Sequence, residues 1–181
     1  MRKDFEQMSF LPLPVLIIGT YDKNEKPNAM NAAWGGISDY GEITISLSPH
    51  KTTENLKATG AFTVAFATKA TEQISDYFGV VSGHNVDKIA KAGVKHVRGK
   101  YVNAPIFECY PLTLECEVVS FKNGSLVGRV VNTSVDENYL TKDGKIDVDK
   151  MDIITFDMVS NTYRTLGPVV GKAFSDGLKL K

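Results

Sequence analysis

The sequence is poor in the residues that hold metals and disulfides. Its 181 residues include two cysteines, Cys109 and Cys116, and three histidines, His50, His84 and His96. The cysteine spacing fits neither a Cys-x-x-Cys redox motif nor a zinc knuckle, and the histidines are not paired at ligand spacing, so no metal site is expected. Neither charge is in excess: Lys+Arg 21 balances Asp+Glu 21. That removes the electrostatic reason for nucleic acid or an anionic membrane to be a partner. No apolar run approaches the roughly 20 residues needed to cross a bilayer. Met1-Arg2-Lys3-Asp4-Phe5-Glu6 carries acids where a signal peptide needs an unbroken apolar stretch, which points to a cytoplasmic protein. There is no Gly-x-Gly-x-x-Gly after a strand, no P-loop, no nucleophile elbow, no repeat and no Gly/Ser-rich linker. No side chain is nominated as catalytic.

What is present is the composition of a globular protein, 43% hydrophobic and 23% charged. One domain spanning 1–181 is expected, and a chain of this length hides roughly 70% of its unfolded surface without needing a staple. Strand-like patches dominate. Pro14 to Tyr21 is apolar and β-branched, as for a strand buried on both faces, and Asp22 to Asn28 reads as a hairpin loop. Ala29 to Trp34, Glu42 to Leu47 and Ala61 to Phe66 follow. Leu112 to Phe121 and Leu126 to Val135 flank Asn123-Gly124, a strong hairpin signal because both residues accept positive φ. Ile153 to Asp157 closes the series. Alternation puts Cys116 on an apolar face, as a small core side chain. It puts Glu115 and Glu117 together on the other face, expected to be solvated. Short helices are expected at Lys51 to Ala58 after a cap-like Thr52-Thr53, at Thr71 to Phe78 stopped by Gly79, and at Val86 to Ala92 stopped by Gly93.

Two segments carry chemistry. In Asn28-Ala29-Met30-Asn31-Ala32-Ala33-Trp34-Gly35-Gly36, small and amide-bearing residues stand where a strand prefers bulk. Small side chains let a flat ligand reach the backbone N–H groups, or let another element pack close. In Ser46-Leu47-Ser48-Pro49-His50-Lys51-Thr52-Thr53, a strand ends in hydroxyls and a lysine just as a helix begins. That is a natural phosphate site, or an N-cap with surplus donors. Ser82-Gly83-His84-Asn85-Val86-Asp87-Lys88 is a polar loop entering a helix. The tail from Tyr163 to Phe174 could wrap a neighbouring subunit, close a pocket or cap the barrel.

Taken in order, these pieces resemble the flavin reductase-like family, in its flavoredoxin branch. The matching residues are Pro12-Leu13-Pro14-Val15, Asn28 to Trp34, Ser46-Leu47-Ser48 with Lys51 and Thr53, and Phe62-Thr63-Val64. Ser82-Gly83 with Asp87-Lys88 and Gly93, Ala104-Pro105, Leu114-Glu115-Cys116, and Tyr163 with Leu166-Gly167 complete them. The resemblance implies a mainly β, Greek-key split β-barrel with a few short helices, a homodimer, and FMN near the subunit interface. It implies that Asn28, Ala29, Met30, Asn31, Ala32, Ala33 and Trp34 run along the isoalloxazine edge. Ser46, Leu47, Ser48, Lys51, Thr52 and Thr53 would hold the ribityl phosphate, with Ser82 and Lys88 as secondary candidates at the phosphate or the pyrimidine end. The implied activity is hydride transfer from NAD(P)H to flavin. The alternatives are an electron carrier served by a partner protein, and a non-catalytic barrel for another small ligand. The family often has Thr in place of Asn31 and Arg in place of Ser48 and Lys51, which implies a weaker phosphate grip here.

Overall fold

The computed structural model describes residues 1–180. The chain begins with β1 (Leu13–Pro14), β2 (Leu16–Tyr21), β3 (Pro27–Ala32), β4 (Gly35–Asp39) and β5 (Glu42–Ser46). Helix α1 (Lys51–Thr59), β6 (Ala61–Phe66), α2 (Glu72–Val80) and α3 (Lys88–Ala92) follow. Then come the short pair β7 (His96–Arg98) and β8 (Pro105–Phe107), and the long pair β9 (Leu112–Lys122) and β10 (Ser125–Val135). Helix α4 (Val148–Met151) leads to β11 (Ile154–Asp157) and β12 (Thr162–Thr165).

Seven strands form one antiparallel sheet in the order β3-β2-β6-β9-β10-β5-β4. Its two edge strands, β3 and β4, are joined by Ala33 and Trp34 alone. The three steps from Ala32 to Gly35 span no more than roughly 11 Å, so the edges must approach at that end and the sheet must curl. The Ser46 N–H donates to the Trp34 carbonyl at 2.7 Å and pins the corner. β3 and β4 do not pair, so the barrel stays open along a seam between them. This is the mainly β, Greek-key split barrel expected from the sequence. A second sheet, β1-β11-β12, and the β7-β8 pair flank it.

Every residue of β2 is buried, because both of its faces are covered. Leu16 and Ile18 enter the barrel with Met30, Ile45, Phe62, Val64, Cys116 and Leu126. Val15 and Ile17 face the other way, into a second core with Phe78 of α2, Ile89 of α3 and Phe107 of β8. Each fully buried aliphatic or Phe side chain is worth roughly 1.5–3 kcal/mol. These two layers fix β3 between the barrel and the helices. Asn123 and Gly124 take φ 51° and 80° in the β9–β10 turn, as the Asn-Gly pair demands.

Several expectations are corrected. The run Pro14 to Tyr21 is divided at Val15, because β1 pairs with β11 in the small sheet while β2 enters the large one. Gly79 does not stop α2, which continues to Val80. Its absent side chain serves packing instead, since a Cβ there would lie 3.3 Å from Cβ of Asn31. The third helix starts at Lys88 rather than Val86, with Asp87 accepting from the Ala90 N–H at 3.0 Å as its cap. For α1 the N-cap is His50, and Thr53 reaches back to its N–H at 2.9 Å. Glu115 is not solvated: it is 1% exposed and accepts from the N–H groups of Tyr101 and Val102 and from Asn132 Nδ2. A loop covers that face of β9 at Glu115 and leaves Glu117 exposed.

Candidate functional site

The free edge of β3 does not meet solvent evenly. Three cavities follow it, sharing residues from one to the next. The first, about 290 Å³, opens at the seam and is lined by Met30 to Trp34, by Ser46 to Ser48, and by His50, Gly79, Phe156 and Tyr163. The second is a waist of about 60 Å³ between Asn28, Lys51 and Thr52 on one side and Phe78 to Lys88 on the other. The third, about 280 Å³, is lined by Asp22, Lys26, Asn28, Lys51, Gly83, Asp87 and Lys88, among others. Joined, they fall in the range of roughly 300–1,000 Å³ usual for small-molecule sites.

Small residues keep the groove open. A Cβ on Gly83 would run into Asn28 Oδ1 and lie 3.4 Å from Cβ of Lys51, so a larger residue there would fill the waist. At the seam end, Trp34 is 55% exposed. Tyr163 stands opposite, its hydroxyl donating to Asp76 Oδ1 at 2.7 Å. Burial, with the Asp76 carboxylate behind it, pushes the Tyr163 phenol up to about 12, so it remains a neutral donor. Asn31 Nδ2 donates to the Ser75 carbonyl at 3.0 Å, tying β3 to α2.

The far end is cationic in an unusual way. Lys88 is 4% exposed, and its Nζ donates to the Phe78 carbonyl at 3.0 Å, in the last turn of α2. Among the described residues no carboxylate pairs with it. Lysines are almost never fully buried without such a partner. Desolvation pulls its ammonium down to about 8. Lys51 and Thr52, the first residues of α1, line the waist beside it, so the positive end of that helix opens on the same space. Thr52 Oγ1 accepts from Asn28 Nδ2 at 2.7 Å, and no acceptor for its own proton occurs among the described residues. This arrangement suits an anion with several oxygens.

Of the sequence candidates, Asn28, Met30, Asn31, Ala32, Ala33, Trp34, Ser46, Leu47, Ser48, Lys51, Thr52, Ser82 and Lys88 line the groove. Two do not. Ala29 points into the second core, leaving only its backbone toward the edge. The Thr53 hydroxyl is engaged with the N–H and carbonyl of His50. The segments are also divided differently. Asn28 and Trp34 stand at opposite ends, and the extended stretch from Asn28 to Ala32 alone covers roughly 13 Å, longer than a fused three-ring system. Ser46, Leu47 and Ser48 lie with Trp34 at the seam, while Lys51 and Thr52 lie at the waist. His50, within the Ser46–Thr53 segment, also lines the groove, as do Gly79, Phe156 and Asp22. Nothing in the local sequence of those last three marks them, and only the fold brings them to the groove. Groups of three or more potential metal ligands are absent among the described residues.

Residues 8–148 match the profile of the flavin reductase like domain. The fold is similar to flavoredoxin of Desulfovibrio vulgaris (Miyazaki F), with 34% identity and TM-score 0.93 over 98% of this chain and 100% of that one. It is similar to flavoredoxin from Methanosarcina acetivorans, with 29% identity and TM-score 0.89 over 100% of both chains. An FMN-binding domain of a flavin reductases-like enzyme from Shewanella baltica OS155 shares the fold at 18% identity, with TM-score 0.76 over 88% of each chain. No curated protein sequence matches the chain.

Proposed function

The chain belongs to the flavin reductase like domain family, and from that membership we propose that its groove holds FMN and that the protein works as an NAD(P)H:flavin oxidoreductase. One observation carries the reading. A groove on the free edge of a strand is lined by small and aromatic residues at one end and by a buried lysine without a carboxylate at the other. FMN has these same two halves, a planar ring and a phosphate. When bound, it supplies the hydride and electron chemistry that no side chain of this chain offers.

The residues divide the work. Ala32 and Ala33 keep bulk away from the edge of β3, whose backbone N–H groups are free to donate to polar ring atoms. Asp76 holds Tyr163 in place, and Tyr163 with Phe156 walls the seam cleft. Lys51, Thr52, Ser82 and Lys88 receive the phosphate at the waist. The exposed face of Trp34 gives a second planar group, the nicotinamide, a surface to stack on. Hydride transfer needs proximity and orientation more than an acid or base.

The visible spectrum of the purified protein, with FMN added and then NADH or NADPH under anaerobic conditions, tests this. Flavin absorbance that bleaches with either nucleotide supports the reading. A second reading, an electron carrier reduced by a partner protein, is favoured by full-length similarity to two flavoredoxins at 34% and 29% identity. Bleaching by a reduced ferredoxin-like donor and by neither nucleotide would select it. A protein that binds no flavin would return the site to some other ligand.

We also propose a homodimer. The barrel mouth is an almost wholly apolar cavity of about 390 Å³, and Ile37 on the adjoining edge strand β4 is 87% exposed. A second copy would cover both. No described helix is long and apolar enough to cross a membrane, and a cytoplasmic location stays part of the proposal.

A further inference from the structure

We propose that Asp22 sets how tightly the groove holds a flavin phosphate, by acting as a resident counter-anion for Lys51. This rests on the flavin reading above and deepens it, because it bears on whether FMN is retained or exchanged.

The far cavity is lined by three lysines, Lys26, Lys51 and Lys88, and by two aspartates, Asp22 and Asp87. Lys26 Nζ lies 3.0 Å from Asp87 Oδ2, and Lys51 Nζ lies 3.9 Å from Asp22 Oδ2. The Asp22 side chain is 14% exposed and cannot swing aside. Its Oδ1 accepts from the N–H groups of Asn24 at 2.8 Å and Lys26 at 2.9 Å, closing the β2–β3 turn. Those bonds need an acceptor, and an amide oxygen would serve as well as a carboxylate. The charge on the second oxygen therefore has no task in the turn. The Lys26 N–H bond, ahead of the other effects, holds the Asp22 carboxyl below its ordinary range, so the charge is present at working pH.

A phosphate brought to Lys51 must draw the ammonium away from this fixed carboxylate and then stay near it. Lys88 has no such rival, so the two cations are unequal. Lys88 anchors at full strength, while Lys51 contributes only what remains after Asp22. A flavin without a phosphate is indifferent to the balance.

The test is Asp22→Asn, which keeps the turn acceptor and removes the charge. Trp34 is the only tryptophan and lines the seam, so quenching of its fluorescence reads FMN and riboflavin binding in the same protein. The expected result is an FMN Kd on the order of tenfold lower than wild type, an unchanged riboflavin Kd, and a gain that shrinks with added salt. Adding Lys51→Ala should abolish the gain, as a double-mutant cycle requires. Asp22→Ser, whose hydroxyl can also close the turn, should reproduce the direction if the Asn variant melts early. An FMN Kd that is unchanged or raised in both variants would overturn the proposal and leave Asp22 as a turn residue. Wild-type protein that binds neither flavin would instead defeat the flavin reading, and this inference with it.

Discussion

Replacing Lys88 with Met separates ligand binding from folding, because the two effects have opposite signs. In the free protein the Lys88 ammonium is pulled from 10.5 to about 8 by burial. At 1.36 kcal/mol per pKa unit, this is a penalty of roughly 3 kcal/mol on the folded state near neutral pH. The penalty is fully present below about pH 8 and is relieved as pH rises toward the unfolded value, because the unfolded chain then binds more protons than the native one. Met keeps much of the stem and removes the charge, so the variant without ligand should be as stable as wild type or more stable at pH 7. Loss of the charged bond to the Phe78 carbonyl offsets roughly 1.5–3 kcal/mol of the gain.

Binding should move the other way. An FMN phosphate carries about −1.5 to −2 charge at pH 7, and a charged hydrogen bond to it in a half-enclosed site is worth roughly 2–4 kcal/mol. FMN affinity should fall roughly 30- to 1,000-fold, with riboflavin affinity unchanged. In wild type the same lysine predicts FMN affinity that is flat just below pH 8 and falls above it, while riboflavin shows no such slope. Trp34 fluorescence and a urea melt at pH 7 and pH 9 check all three arms. If Lys88→Met weakens both flavins equally, or destabilises the free protein by several kcal/mol, then Lys88 is a structural group and the anion site lies elsewhere.

Three further perturbations test other parts of the structure. Gly83→Ala should weaken FMN binding at least about tenfold with a near-normal urea midpoint, because its Cβ meets Asn28 at the waist; unchanged affinity would show the waist is not used. Glu115→Ala strips the acceptor from two N–H groups and Asn132, and should lower unfolding free energy by about 2–4 kcal/mol; a loss under about 0.5 kcal/mol would mean the loop holds without it. Ile37→Lys should shift the protein from dimer to monomer in sedimentation while its circular dichroism stays that of a folded β protein; a wild type that is already monomeric refutes the proposed interface.

The parts of the fold visible in the sequence are those where one residue pattern has one structural outcome. Six consecutive buried residues in β2 require cover on both faces, and Asn123-Gly124 requires a tight turn. The missed elements lack that link. β4 reads Gly-Gly-Ile-Ser-Asp and is mostly exposed; its ladder to β5 holds it in place, not burial. β7 and β12 are short, mostly exposed strands of the same kind, and β8, though buried through Phe107, has only three residues to show a pattern. Glu115 alternates with Cys116 as expected, but alternation reports only that a face differs, not that it is wet. Gly79 reads as a stop because the sequence does not show Asn31 lying against it.

The site shows the same division. Lys88 and Lys91 look alike in Lys-Ile-Ala-Lys, yet one is buried at the groove and the other is exposed. The distinction comes from α2, whose last turn lies over Lys88 and leaves Lys91 outside. Likewise Ser46 and Trp34 are twelve residues apart in sequence and meet because Ala33-Trp34 must bridge two sheet edges. Both ends of the groove are therefore set by closure of the barrel, one by the seam and one by the helices laid over β3. A change that relaxed the seam without touching a lining residue should loosen the ring end and spare the phosphate end. On that account affinity for the ring, read with riboflavin, and the added affinity from the phosphate are governed by separate parts of the chain.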